Sequence, residues 1–351
     1  MKASRLFIVA MAGMVTLARA AFPGEEWQAP PAGADVAHPA QVDKAMASLE
    51  AVMGREGNAG TVVVQDGYVL WEGVDTKRKR AVWSCTKSFL STCLGLLWDD
   101  GKCSPDDLAS KHLPGLAAKY PGVTLRHLAT FTSGVNLPLL TLEPGLPNFA
   151  PGEAMHYSSE SDLLALILTK VAGEPLRELF KRRIADPIGM DPEGWEWKSV
   201  HERDGIAVNG GAGMRENGMH ISARNLARFG WLYASGGNWN GRQLISRRYI
   251  DEATRPQVAS SVPMFDPKDW YKQLPGTYGM NWWTNGVTTE GRRIWPSAPA
   301  EAFAALGNMN NICIIIPKWK LVLARAADDE VRDISLFDGP LKILGGASAR
   351  P

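Results

Sequence analysis

The sequence contains few cysteines and few histidines, which argues against a disulfide scaffold and against a metal site. Four cysteines in 351 residues permit at most two disulfides and lack the density of a disulfide scaffold. Cys85 and Cys93 would lie too far apart on one helix to bridge, so we expect them to be buried apolar side chains. The six histidines include no close pair at the spacing of metal ligands. We therefore predict no metal and no other cofactor.

An excess of charge of either sign is also missing, because the formal net charge is only +1. A general nucleic-acid role would need a concentrated basic face. The one candidate is the run Lys77-Arg78-Lys79-Arg80, which we interpret as a solvated loop, with a binding patch as the alternative. We expect no nucleic-acid partner, and the sequence leaves the oligomeric state open.

Long apolar runs are absent except at the N-terminus. There, Lys2 and Arg5 precede an uncharged stretch from residue 6 to 18, and Ala18-Arg19-Ala20 forms an A-x-A cleavage site. This pattern is typical of a secretory signal peptide over residues 1–20, so we expect a periplasmic or secreted protein without a stable membrane span. A membrane anchor is the alternative, but about a dozen apolar residues are short for a bilayer, which needs roughly 20. Losing the three basic residues of the leader changes the charge from +1 to −2.

The chain that remains is longer than one hydrophobic core usually serves, so we expect two domains or one domain with a large insertion. Residues 40–53 carry apolar side chains at helical spacing, and two β-rich runs flank the hairpin signal Asp66-Gly67. The middle of the chain has mostly helical patterns, including one that begins after Ser222. β-like runs return at 278–284, 302–307, 312–316 and 321–324, before a helical stretch at 331–344.

Strands at both ends with helices between them predict a mixed α/β (α+β) fold. We expect an antiparallel sheet flanked by N- and C-terminal helices, with an inserted, mostly helical domain. The predicted sheet domain is discontinuous, over residues 21–95 and 225–351, and the helical domain covers residues 96–224.

The stretch Val-Trp-Ser-Cys-Thr-Lys-Ser-Phe, residues 82–89, places Ser84 and Lys87 three residues apart. On one helix face their Cβ atoms would lie about 5 to 6 Å apart. A serine hydroxyl needs a base, and a lysine can serve if burial lowers its pKa. The helix N-terminus also leaves the Ser84 amide free to face a developing oxyanion. The plainer interpretation is that Ser84 caps a helix and Lys87 extends to solvent; Cys85 as the nucleophile would need a basic partner of its own.

About 70 residues later, Tyr157-Ser158-Ser159 stands just before another apolar helix. Here the chain resembles the serine β-lactamase-like superfamily, which includes class C β-lactamases, DD-peptidases and related esterases and amidases. In that family Ser-x-x-Lys is followed by Tyr-x-Asn or Tyr-x-Ser, which match Ser84 with Lys87 and Tyr157 with Ser159. The segments LRHLATFTSGV, GGAGMRENGMHISARNLARFGWLYASGG and NICIIIPKWKLVLAR extend the likeness over most of the chain.

The resemblance implies a β-lactamase/transpeptidase-like fold and a role for each matched residue. Ser84 would attack a carbonyl and form an acyl-enzyme, while Lys87 and Tyr157 would share the proton transfers. Ser159 would orient Lys87 or bind substrate, although it also fits a plain helix cap. Packing alone is the alternative for Tyr157.

The family's third motif, Lys-Thr-Gly or His-x-Gly, is absent as such, and Ala305-Leu306-Gly307 would occupy its place. Gly307 or Asn308 would still give the second oxyanion N–H. The missing cation argues against an efficient β-lactamase or DD-peptidase and favours an exported esterase or amidase, of the type of 6-aminohexanoate-dimer hydrolase, acting on a small ester, amide or peptide-like substrate. Trp282 and Trp283 would line an acyl pocket or belong to the core. A β-lactamase or DD-peptidase, and a non-catalytic cell-wall-binding relative, remain the alternatives.

Overall fold

The structure is a computed structural model that describes residues 21–53, 57–139, 141–266, 275–328 and 333–348. The predicted leader at residues 1–20 lies outside the described residues. Within the described ranges, none of the helices has both the length and the apolar composition that a membrane crossing requires.

Nine α-helices and thirteen strands occur in the described part of the chain. The helices are α1 Pro39–Met53, α2 Thr86–Asp99, α3 Ala109–His112, α4 Leu125–Ala129, α5 Ser161–Ala172, α6 Leu176–Phe180, α7 Ala223–Ala234, α8 Arg247–Ala253 and α9 Asp338–Ser348. The strands are β1 Thr61–Gln65, β2 Tyr68–Glu72, β3 Arg80–Ala81, β4 Trp195–Trp197, β5 Ser199–Arg203, β6 Ile206–Asn209, β7 Met219–Ile221, β8 Asn238–Trp239, β9 Arg242–Gln243, β10 Trp283–Thr284, β11 Phe303–Gly307, β12 Asn311–Ile316 and β13 Leu321–Arg325.

The main sheet has six strands in the order β10-β11-β12-β13-β1-β2, and every neighbouring pair is antiparallel. The N-terminal hairpin of β1 and β2 therefore joins the sheet through β1, which pairs with β13 from the C-terminal part of the chain, as the mixed α/β prediction requires. The fold class is confirmed. The division into a sheet domain and a helical domain stays a prediction, and the stretch 96–224 also carries the strands β4, β5, β6 and β7.

Both faces of the main sheet are covered, which explains why β1 is buried along its whole length. Val62 and Val64 belong to one core, which includes the apolar side chains of α2 and α7. Val63 points the other way and belongs to a second core with side chains of α1 and α9. The alternation of strand side chains thus divides the interior into two layers, one on each face of the sheet.

Most predicted elements form where the sequence placed them. The Asp66-Gly67 hairpin is confirmed, since both residues adopt the positive φ angles that a tight β-hairpin turn favours. The Ser222 hydroxyl accepts a hydrogen bond from the Asn225 amide and caps α7, as predicted.

The β-like run at residues 278–284 is shorter than predicted, because the strand covers only Trp283–Thr284. The Gly279 amide donates to the Trp282 carbonyl at 2.8 Å, and Asn281 has a φ of 57°. These residues turn the chain, so that Tyr278 lies opposite Trp283. The apolar composition of residues 278–284 does not by itself indicate that the chain reverses its direction there.

Candidate active site

Ser84 lies in the short 3₁₀ turn Trp83–Cys85, directly before α2. The Thr86 hydroxyl donates to the Trp83 carbonyl at 2.6 Å and accepts from the Met219 amide at 2.9 Å. Trp83 adopts a φ of 49°, a left-handed conformation that costs energy for a bulky residue and is found where the surroundings enforce it. Strand β7 and the start of α2 therefore fix the Ser84 turn.

Lys87 lies in the first turn of α2 and is only 3% exposed. Its Nζ donates to Ser84 Oγ at 3.1 Å and to the carbonyl oxygen of Ala212. The alternative in which Lys87 extends to solvent is therefore wrong. The helix α2 begins with Cys85 as its N-cap and without a side-chain cap, so Ser84 does not cap it either.

Burial lowers the pKa of Lys87 from its ordinary value of 10.5 to about 8, because the charged form is poorly solvated there. The nearby groups Asp162 and Cys85 act in the opposite direction and favour the ammonium. With a pKa of about 8, roughly one amine in ten is neutral at pH 7. A neutral amine at hydrogen-bond distance from a hydroxyl can accept its proton.

Cys85 does not share this environment. Its side chain is fully buried, and its Sγ donates to the Asn311 carbonyl at 3.4 Å. Burial raises the pKa of the thiol well above its ordinary value, which disfavours the nucleophilic thiolate. Cys93 is likewise buried and free, so the prediction for these two cysteines is confirmed.

Tyr157 joins the site through its ring, whose centroid lies 4.9 Å from Lys87 Nζ. The ring packs on Phe131 at 4.5 Å, and Phe131 itself lies 5.9 Å from the same Nζ. Tyr278 and Trp283 complete the aromatic cluster, with centroids 6.0 and 6.3 Å from that of Tyr157. The lysine is therefore enclosed by π faces on this side, which contributes to its desolvation.

The two adjacent tryptophans have different surroundings. Trp283 contacts Tyr157 in the aromatic cluster. Trp282 is fully buried and stacks on Phe229 of α7 at 5.9 Å. Trp282 is thus a core residue, and Trp283 is the one that lies beside the candidate site.

Gly307 ends strand β11 next to the Ser84 turn. A Cβ atom at this position would lie 2.1 Å from the Val82 carbonyl oxygen and 3.1 Å from the Ser84 amide nitrogen. Only glycine fits such a close backbone approach. Asn308 follows at the start of the turn to β12, and its carbonyl accepts from the Asn311 amide at 3.3 Å and from Asn311 Nδ2 at 2.7 Å.

The Ser159 side chain is directed elsewhere, since its hydroxyl donates to the Leu137 carbonyl at 2.8 Å. In the described part of the chain it makes no hydrogen bond with Lys87. It does not cap α5, whose N-cap is Glu160. The structure gives the lysine amine a backbone partner in Ala212 instead.

The Ala212 carbonyl and the side chain that holds its turn, Asp162, are the residues that sequence reasoning missed. Asp162 Oδ1 accepts from the Gly211 and Ala212 amides at 2.7 and 2.8 Å. The run Gly210-Gly211-Ala212-Gly213 is a visible signal for a close backbone approach, but it does not indicate which group is approached.

Comparison with known proteins assigns the chain to a family. The family model described as beta-lactamase matches residues 42–334. An uncharacterised protein of Alkalihalophilus pseudofirmus is 23% identical over 264 residues, which cover 70% of this chain and 72% of the relative. The 6-aminohexanoate-dimer hydrolase of Paenarthrobacter ureafaciens is 20% identical over 258 residues, or 62% of each chain.

Solved structures share the fold at low sequence identity. A family VIII carboxylesterase aligns with a TM-score of 0.67 at 16% identity, covering 88% of this chain and 99% of that one. The family model spans most of the chain, and its members are serine hydrolases with the same mixed α/β architecture. The protein therefore belongs to the beta-lactamase family.

Proposed function

We propose that this protein is an exported serine hydrolase that cleaves an ester or amide bond through an acyl-serine intermediate. The observation that carries the proposal is the buried Lys87 amine, with its pKa lowered to about 8, at 3.1 Å from Ser84 Oγ. Burying an ionisable amine costs free energy of folding. Amines with a strongly lowered pKa are therefore found mainly at functional sites. The position of the Lys87 amine against a serine hydroxyl supports a role as general base.

In the proposed acylation step, neutral Lys87 takes the Ser84 proton as Oγ attacks the substrate carbonyl. Tyr157, whose ring centroid lies 4.9 Å from the same amine, then relays a proton through its phenol to the leaving alcohol or amine, which departs as the carbonyl re-forms. In deacylation a water molecule attacks the acyl-serine ester and gives a proton to the same pair of groups. The bond to Oγ then breaks, and this pair returns a proton to Oγ, which regenerates the Ser84 hydroxyl. The two half-reactions balance, because the product acid and the free leaving group together account for the water consumed.

The negative charge on the tetrahedral intermediate needs donors. The Ser84 amide and an amide at Gly307 or Asn308 are the proposed pair, and the close approach of β11 to the Ser84 turn supports this choice, since a Cβ atom on Gly307 would lie 3.1 Å from the Ser84 amide nitrogen. Removing one such donor typically costs 10²- to 10³-fold in rate. Backbone amides serve this purpose whatever the local side chain is.

The residues of β11 favour an ester or amide substrate whose binding does not depend on a carboxylate group. Ala305 is fully buried and Leu306 nearly so, where many relatives would carry a cation. A hydrogen bond to a charged group contributes roughly 1.5 to 3 kcal/mol. Its loss would weaken binding of the carboxylate of a β-lactam or a peptide by about tenfold to a hundredfold. The 6-aminohexanoate-dimer hydrolase and carboxylesterase among the related proteins agree with this preference.

The test is labelling of the purified mature protein with a fluorophosphonate, followed by intact-mass measurement. We expect one adduct on the wild-type chain and none on Ser84→Ala. An adduct on the alanine variant would refute the assignment, and failure of the wild type to react would favour a non-catalytic cell-wall-binding relative. The mass of the chain recovered from the periplasm or medium would also show whether residues 1–20 are removed.

The rival within the family is a β-lactamase or DD-peptidase, as the family's own name suggests. Turnover of p-nitrophenyl esters and of nitrocefin by the same preparation distinguishes the two. We expect faster ester cleavage, since no cation of β11 is available to bind the β-lactam carboxylate. Efficient nitrocefin hydrolysis would contradict this choice of substrate.

A further inference from the structure

Asp162 is a fully buried carboxylate in the first turn of α5, and the proposed mechanism gives it no role. An acidic residue there is usually explained by the positive end of the helix dipole. This one, however, directs Oδ1 at two consecutive amides of another segment, those of Gly211 and Ala212 at 2.7 and 2.8 Å. In the same segment, the Ala212 carbonyl accepts a hydrogen bond from the Lys87 amine.

We infer that Asp162 is a positioning residue that aims the Lys87 amine at Ser84 through the peptide of Ala212. The inference rests on the proposed function, because it assigns Asp162 a part in the same acylation step. Asp162 touches neither the substrate carbonyl nor the reacting hydroxyl. It acts by holding the Ala212 carbonyl, the backbone acceptor that the Lys87 amine has within the described part of the chain.

The turn at residues 210–213 needs such an anchor because no side chains hold it from within. A Cβ atom on Gly211 would lie 2.1 Å from the Ser161 carbonyl oxygen, and one on Gly213 would lie 2.3 Å from the Trp83 carbonyl oxygen. The turn is thus a thin backbone layer between α5 and the nucleophile turn. The turn is held at Gly210, whose amide donates to the Lys198 carbonyl at 3.0 Å and whose carbonyl accepts from Trp197 Nε1 at 2.8 Å. Glycine is conformationally permissive, and the two hydrogen bonds to the Asp162 carboxylate add a restraint at Gly211 and Ala212, next to the carbonyl that accepts from Lys87.

The carboxylate also faces the amine electrostatically. From α5, Asp162 favours the charged form of Lys87; Cys85 acts in the same direction from the nucleophile turn, and Tyr157 presents its ring. Asp162 itself is faced by Lys87 and by His201 of β5, while burial raises its pKa. Asp162 therefore opposes the burial that lowers the lysine pKa and keeps the amine closer to its ordinary value.

Two variants separate the anchor from the charge. Asp162→Asn keeps a carbonyl oxygen in the place of Oδ1 and removes the negative charge, whereas Asp162→Ala removes both. Glu160→Gln is the matched control, because Glu160 is buried to the same extent and burial raises its pKa well above the ordinary value. The Glu160 carboxyl accepts a hydrogen bond from the Ser158 hydroxyl and not from the amides of the turn at residues 210–213.

The measurement is the rate of fluorophosphonate labelling against pH. In Asp162→Ala we expect the rate to fall by roughly tenfold or more, since misplacing a general base forfeits part of a contribution of about 10² to 10⁴. In Asp162→Asn we expect most of the plateau rate to remain, with the midpoint of the profile at lower pH. Glu160→Gln should follow the wild-type profile. A wild-type rate and profile in folded Asp162→Ala, or a plateau rate in Asp162→Asn that falls as far as in Asp162→Ala, would overturn the inference.

Amide hydrogen exchange of the peptide containing residues 210–213 gives a second readout that needs no activity. In either wild type or Glu160→Gln the Gly211 and Ala212 amides should be protected, and in Asp162→Ala they should exchange faster. Should wild-type protein resist labelling altogether, the proposed function fails, and exchange still decides whether Asp162 anchors the turn. Unchanged protection in Asp162→Ala would refute the anchor. Should that variant not fold, Asp162→Asn carries the test, because it keeps the acceptor oxygen and should therefore keep the plateau rate and the protection of the Gly211 and Ala212 amides; loss of both would refute the anchor.

Discussion

Replacement of Lys87 by methionine gives the most quantitative test of the burial argument. In the folded protein the pKa of Lys87 is about 8, against 10.5 for an ordinary lysine. Below pH 8 the amine is charged in both states, and the folded state bears the cost of burying that charge. Between pH 8 and 10.5 the unfolded chain binds a proton that the folded chain does not, so stability rises with pH. Above 10.5 both states are neutral and the penalty disappears.

The difference between the two pKa values corresponds to a penalty of about 3 kcal/mol at pH 7. Linkage arithmetic with the same two values gives a gain in the free energy of unfolding of about 2 kcal/mol between pH 7 and 9.5. The variant Lys87→Met has a similar shape without the amine, so it should lack this component. Subtracting its stability from that of wild type removes the contributions of the other titrating groups.

The assay is urea denaturation of both proteins at several pH values in this range. We expect the wild type to gain about 2 kcal/mol relative to Lys87→Met, while the variant shows no fluorophosphonate adduct at any pH. A difference that is flat, or that falls as pH rises, would mean that the folded amine titrates normally. The case for Lys87 as a base near neutrality would then be lost.

Three further predictions concern the proposed mechanism. The rate of Ser84 labelling should rise with pH to a plateau, with a midpoint near 8 set by Lys87, so that it is about tenfold below the plateau at pH 7; a profile that falls over this range would contradict an amine base. Gly307→Ala should lower the labelling rate and cost about 1 to 3 kcal/mol of stability, because the new Cβ would lie 2.1 Å from the Val82 carbonyl oxygen. The control Gly115→Ala, which has open space around the new Cβ, should change neither the rate nor the stability. Tyr157→Phe should retain the ring packing and the stability but lose about 10²- to 10⁴-fold in the rate of ester hydrolysis; wild-type turnover would show that the phenol carries no proton.

Local patterns were enough to predict the elements that depend on neighbours in sequence. The Asp66-Gly67 turn has its own preferred backbone geometry, and the Ser222 cap forms with an amide three residues later. The spacing of Ser84 and Lys87 likewise fixes that pair on one helical turn. These features would form in the same way in many folds, which is why the sequence alone reveals them.

Features that depend on distant segments were beyond such reasoning. The partner of the Lys87 amine is a carbonyl 125 residues away, and a backbone acceptor leaves no trace in side-chain identity. Ser159 matches a family motif, yet its hydroxyl donates to the Leu137 carbonyl. This contact depends on a loop that lies 22 residues earlier in the sequence. The glycine run that contains the missed acceptor indicated close packing without indicating its partner.

The pairing of β1 with β13 has a consequence for how the chain acquires its shape. Thr61 lies opposite Arg325 and Gln65 opposite Leu321, so this strand pair joins segments separated by about 260 residues. Contacts of such long range form slowly, because a large loop must close before any of them stabilises the sheet. An N-terminal fragment ending before β12 would leave β1 without one partner and should be degraded readily by protease. We therefore expect the polypeptide to become resistant to protease only once its final strands have been synthesised.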